Sequence, residues 1–145
     1  MKKSFSLIEV IIFVSILSII LVSAASIVTV SLQQNKLLIN KLKARHYAYQ
    51  LLEWIKNQKD LDWNSFITLG TNKIYCFETE GLAWGPSVSS GSSCPLLLGM
   101  YRRYAAFKKS GSDGSTQIDV VINISWSELG NTYAVPLHVI FSQWE

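Results

Sequence analysis

The sequence predicts an α+β protein: a long N-terminal α-helix, transmembrane in its first half, whose second half packs on a small antiparallel β-sheet head. Three observations predict it. Between Glu9 and Lys36 the 145-residue chain carries no charge. From Lys36 to Lys59 it has neither Gly nor Pro, and its apolar residues recur at helical spacing. Further on, Ile118–Trp126 and Tyr133–Phe141 alternate apolar and polar residues with the period of a strand. Composition agrees. Hydrophobic residues make up 49% and charged residues 16%, too apolar for a disordered chain. The net charge of +3 is far from the dense basic face of a nucleic-acid binder.

The helix comes first. Val10–Leu32 reads VIIFVSILSIILVSAASIVTVSL. As a helix, the uncharged stretch Val10–Asn35 would span about 39 Å, against a hydrocarbon core of about 30 Å. Its serines, at 15, 18, 23, 26 and 31, can bond back to their own helix. A cleaved secretory signal ending near Ala24-Ala25 and a plain signal anchor are alternatives.

The residues before this run are less ordinary. Lys2 and Lys3 precede Ser4-Phe5-Ser6-Leu7-Ile8-Glu9. An acid at the edge of a membrane helix is costly in lipid and marks a functional site whose partner should be named. The stretch Lys2–Glu9 resembles the class III signal of type IV pilins and pseudopilins. The resemblance covers positions 2 to 9 and the helix that follows. It implies a pilin-like fold, cleavage between Ser4 and Phe5 by a prepilin peptidase, and methylation at Phe5. It implies that Glu9 pairs with the N-terminal amine of a neighbouring subunit, since a paired carboxylate is penalised far less in an apolar bundle. The implied partners are other pilin subunits, the peptidase, the pilus or secretion assembly machinery and the lipid bilayer. The implied location is the cytoplasmic membrane with the head outside, then the cell surface. Position 4 is Ser where the family pattern has Gly. The first Gly is Gly70 and the first Pro is Pro86, so no kink of the kind common in major pilins is expected. Positive-inside counting points the other way: Lys36, Lys41, Lys43 and Arg45 outnumber Lys2 and Lys3.

The helix is expected to continue to about Gln58, roughly 80 Å from Phe5. Leu37, Ala44, Ala48, Leu51, Leu52 and Ile55 form one face; Lys43, His46, Gln50, Glu53 and Asn57 form the other. Asp60–Ser65 is the expected exit. The domain division is then a leader over residues 1–4, an assembly helix over 5–35 and a head over 36–145. Asp60, Asp62 and Asn64 imitate the start of a calcium loop, but Ser65 and Thr71 stand where Gly and Glu are required.

The head is expected to hold three or four strands. Lys73–Glu78 reads as one, and Gly81–Gly99 as a long surface loop. Met100–Phe107 is another, followed by a turn over Lys108–Ser115. Ile118–Trp126 and Tyr133–Phe141 form a hairpin around Gly130-Asn131. Pro136 makes the last strand an edge, or else that strand starts after it. In an exported head, Cys76 and Cys94 would tie the loop to the sheet by a disulfide contributing about 3 kcal/mol; otherwise they are two partly buried thiols.

No catalytic constellation is visible, and no enzyme activity, cofactor or metal is expected. His46 and His138 are the only imidazoles, neither with a nucleophile or ligand set at useful spacing. Asn123-Ile124-Ser125 matches a glycosylation sequon within a strand. Arg102, Arg103, Lys108 and Lys109 cluster around Tyr101 and Tyr104 and could meet DNA or another anionic surface; a solvated strand end is the plainer account. The function expected is that of a minor pilin or pseudopilin. The alternatives are a membrane-anchored binding domain that does not polymerise and a DNA-uptake pilin.

Overall fold

The computed structural model of the chain describes residues 7–69, 72–110 and 117–143. It is an α+β structure with a helix α1 at Leu7–Leu61 and a six-stranded antiparallel sheet. The chain divides into two compact units, Met1–Asn40 and Lys41–Glu145.

In the first unit the described part is helix alone. With no Gly or Pro before residue 70, nothing interrupts the hydrogen-bond ladder. In the second unit, Ala44, Ala48, Leu51 and Ile55 are buried, an i, i+4, i+7, i+11 stripe on one helix face. Leu52 flanks that stripe half-buried, and His46 is exposed. Lys59 continues the stripe at the far end, with its ammonium 3.5 Å from Asp60 and 6.0 Å from the centroid of Phe141.

The helix stops where Asp62 begins a new one. Its carboxylate accepts from the backbone N–H groups of Asn64 at 3.0 Å and Ser65 at 3.2 Å, and from the Ser65 hydroxyl. These bonds satisfy donors at the start of the short helix α2, Trp63–Leu69. They also hold the Asp62 carboxyl below its usual range, the Ser65 hydroxyl contributing most. The exit at Asp60–Ser65 is as expected, but α2 is additional. It buries Phe66, which meets Phe107 and Phe141 edge-on.

The strands are β1 Lys73–Cys76, β2 Ser87–Val88, β3 Leu96–Leu97, β4 Tyr101–Ser110, β5 Gln117–Glu128 and β6 Asn131–Phe141. They lie in the order β2-β1-β4-β5-β6, with β3 on β4. Leu97 opposes Tyr101 and Cys76 opposes Tyr104, so β3 and β1 share one edge of β4 end to end. The three- or four-strand expectation is thus too small. The Gly81–Gly99 segment is not a bare surface loop: β2, a 3-10 turn at Gly91–Ser93 and β3 lie within it. Two-residue strands have no periodicity of their own and exist through pairing.

The core lies between the helix stripe and the inward row of Ile118, Val120, Ile122, Ile124 and Trp126 on β5. Each such side chain, fully buried, is worth about 1.5–3 kcal/mol. Trp84 adds an aromatic cluster, with ring centroids 5.0 Å from Trp54, 5.3 Å from Tyr75 and 5.7 Å from Phe107. The β5–β6 hairpin closes through Leu129 and Gly130, both at positive φ. This is the mirror-image turn that matches strand twist. Pro136 sits on β6, an edge strand as expected. Counting back from the closing pair Glu128–Asn131, even-numbered β6 residues turn their backbone groups outward. The missing Pro136 N–H thus falls on the open edge.

Candidate functional site

Ser4 and Phe5, the expected processing site, lie outside the described residues. Glu9 lies in the first turn of α1, where the positive end of the helix dipole favours a carboxylate. From Leu7 to Lys36 every residue is exposed. An 18-residue window of this helix has a mean hydropathy of 2.8 and no buried residue. Five of its hydroxyl side chains bond back to the helix. Ser15, Ser18, Ser23 and Ser26 donate to the carbonyls four residues back at 2.7, 2.7, 2.8 and 3.0 Å, and Thr29 donates to Ala25 and Ser26. A helix can enter lipid only if such groups are paired internally. This one helix is long and apolar enough to cross a membrane.

Cys76 and Cys94 form a disulfide, with Cα atoms 5.4 Å apart. It joins the end of β1 to the segment that leads into β3. Gly85 permits the same corner: a Cβ there would stand 2.0 Å from the Cys76 carbonyl oxygen. The Pro86 carbonyl in turn accepts from the Cys76 N–H at 3.3 Å.

The basic cluster expected to face solvent is divided by the strand. On β4 the side chains alternate, with Tyr101, Arg103, Ala105 and Phe107 buried. Arg103 is therefore an inward residue and is corrected as a candidate for anionic surfaces: it is 1% exposed. Its guanidinium donates to Phe77 O at 3.1 Å, Thr79 O at 2.6 Å and Gln50 Oε1 at 3.4 Å. The Tyr47 ring lies 5.8 Å away. Burial pushes its pKa down from the usual arginine value, while carbonyl oxygens and a π-face take the place of a counter-ion. Arg102 is half-buried and donates to Cys94 O at 2.9 Å. Only Lys108 and Lys109 of the four are exposed.

Two features had no counterpart in the sequence reading. His138 Nε2 hydrogen-bonds Asp119 Oδ1 across the outer face of β5 and β6. A cavity of about 580 Å³ opens between α1 and the free edge of β6, lined by Lys41, Arg45, Tyr49 and Ala134–Leu137. The expected sequon residue Asn123 stands in mid-strand between Tyr104 and Pro136. Among the described residues, no three His, Cys, Asp or Glu side chains gather as a metal site.

These features define a chain with one membrane-competent helix and a disulfide-bonded α+β unit. No protein-family model matches it, and no curated protein or solved structure matches it either.

Proposed function

We propose that this chain is a pilin-like subunit, a minor pilin or pseudopilin, of a type IV pilus or related filament. The observation that carries the reading is an acid, Glu9, in the first turn of an unbroken helix whose apolar run from Leu7 to Lys36 is wholly exposed. A helix that served only as an anchor has no use for a carboxylate there. The stretch Lys2–Glu9 supports the same reading through its resemblance to the prepilin signal. The prepilin peptidase would cut after Ser4, Phe5 would be methylated, and Glu9 would pair with the amine of a neighbouring Phe5. The subunit's work would be mechanical rather than catalytic. The Cys76–Cys94 bond supports a head on the oxidising side of the membrane, against the direction of the positive-inside count.

N-terminal sequencing of the mature protein tests the processing step. A chain that begins at Phe5 is expected; one that begins at Met1 refutes it, and one that begins near Ser26 means a secreted domain. Glu9→Ala tests assembly. The variant is expected to reach the membrane and fail to enter filaments. Incorporation equal to wild type would refute the pairing role of Glu9, and a wild-type chain that never enters filaments would identify a membrane-anchored domain that does not polymerise.

A further inference from the structure

Two turns of the second unit hold a leucine where the fold favours another residue. Leu98 has φ 51° and precedes Gly99 at φ 68°; Leu129 has φ 52° and precedes Gly130 at φ 80°. The left-handed region crowds Cβ against the backbone, and Gly, Asn or Asp ordinarily takes it. Neither leucine gains burial in exchange: Leu98 is 62% and Leu129 80% exposed. Strained backbone without a packing reward is a pointer to function.

Both turns lie at the same end of the sheet. Tyr101, just after the first turn, opposes Trp126, just before the second. Leu96, 46% exposed, lies in the strand that leads into the first turn. The helix enters the second unit at this end, because Tyr47 packs on Tyr101 at 5.4 Å while Lys59 lies over Phe141 at the other. The uncharged apolar run ends at Leu32, nine residues before Lys41. Even fully extended, that segment reaches about 32 Å, so this end of the unit is tethered close to any bilayer the helix crosses. Exposed Lys41 and Arg45 lie on the same entering stretch, and cations near a bilayer are drawn to anionic headgroups.

We propose that the Leu98–Gly99 and Leu129–Gly130 turns form a lipid-contacting tip that inserts both leucines into the headgroup boundary of the bilayer. The tip rests on α1 crossing the membrane, and not on filament assembly. Insertion removes two leucines from water, a gain available only at a lipid surface. The disulfide and the Arg102 bond to Cys94 O brace the segment that carries the first turn.

The test uses the full chain in vesicles that contain anionic lipid. With Cys76 and Cys94 bonded, single cysteines can be labelled with an environment-sensitive fluorophore at Leu98→Cys, Leu129→Cys, Val22→Cys and Ser110→Cys. Labels at 98 and 129 are expected to shift to the blue and lose about half or more of their emission to a quencher placed near the lipid headgroup. The label at 110, at the opposite end of the sheet, should do neither. If 98 and 129 behave like 110 while 22 is quenched by a deep probe, the tip is refuted and the membrane helix stands. If 22 is not quenched, both fall. A label-free variant supplies a second measure. Leu98→Asn with Leu129→Asn should raise the unfolding temperature in detergent, since Asn accepts the left-handed conformation. An unchanged or lower temperature means the leucines serve the fold, and overturns the proposal.

Discussion

Arg103→Met should destabilise the second unit by about 3 kcal/mol, with no change in the exposed helical run from Leu7 to Lys36. The guanidinium is 1% exposed and donates to two backbone carbonyls, Phe77 O at 3.1 Å and Thr79 O at 2.6 Å. A buried acceptor left without its donor costs about 1–3 kcal/mol, so two cost about 2–6 kcal/mol. Loss of the contact with Tyr47, at 5.8 Å, adds about 0.5–2 kcal/mol. Methionine fills similar space and relieves the desolvation of a buried cation, which returns several kcal/mol. Set against losses of about 2.5–8 kcal/mol in total, that return leaves a net loss of about 3 kcal/mol. Arg103→Lys should fare no better, because an ammonium keeps the buried charge but lacks the fork that reaches both carbonyls. The assay is guanidinium unfolding of the full chain in detergent, followed by tryptophan fluorescence, since Trp54 and Trp84 both pack around Phe77. A Met variant within about 0.5 kcal/mol of wild type, the range of ordinary surface changes, would refute the reasoning.

Three further expectations follow from the same unit. Cys76→Ser with Cys94→Ser removes a bridge of sequence separation 18 and should cost about 3 kcal/mol by loop-entropy reasoning, read as a lowered denaturation midpoint that reductant reproduces in the wild type. Gly85→Ala drives a Cβ to 2.0 Å from the Cys76 carbonyl oxygen and should destabilise by about 1–3 kcal/mol, visible as a lower thermal midpoint; an unchanged midpoint would mean the corner yields freely. Asp62→Ala should speed hydrogen exchange at Asn64 and Ser65, whose amides the carboxylate caps. Because the Ser65 bonds lower the Asp62 pKa from 3.8, the wild-type cap contributes fully above that value and is lost as pH falls through the lower folded-state value. Asp62→Ala should therefore flatten the acid limb of the exchange profile.

The division between what was legible and what was not follows the range of each interaction. The membrane-competent helix, its buried stripe at Ala44, Ala48, Leu51 and Ile55, and the β5–β6 hairpin were legible because each has a period. The helix exit over Asp60–Ser65 was legible because a run of turn-prone polar residues acts locally; the Asp62 cap and the helix α2 that follows it were not. Arg103 was misread because clustering along the sequence says nothing about which face a strand turns inward. Lys108 and Lys109 sit on the same strand and remain exposed. The 81–99 segment was misread because Gly and Ser mark turns, whereas β2 and β3 need partners on β1 and β4 to exist at all. The leucines at 98 and 129 look like ordinary apolar residues until φ angles and exposure are known.

By itself, the sequence determined that a long uncharged helix precedes an alternating β region, because hydrophobic period and the absence of breakers act over a few residues. Only the tertiary structure decided the closure of Cys76 on Cys94, the burial of Arg103 under Tyr47 and the gathering of two strained Leu-Gly turns at one end of the sheet. Those outcomes depend on strand order and register, which join residues far apart in the chain and leave no local trace.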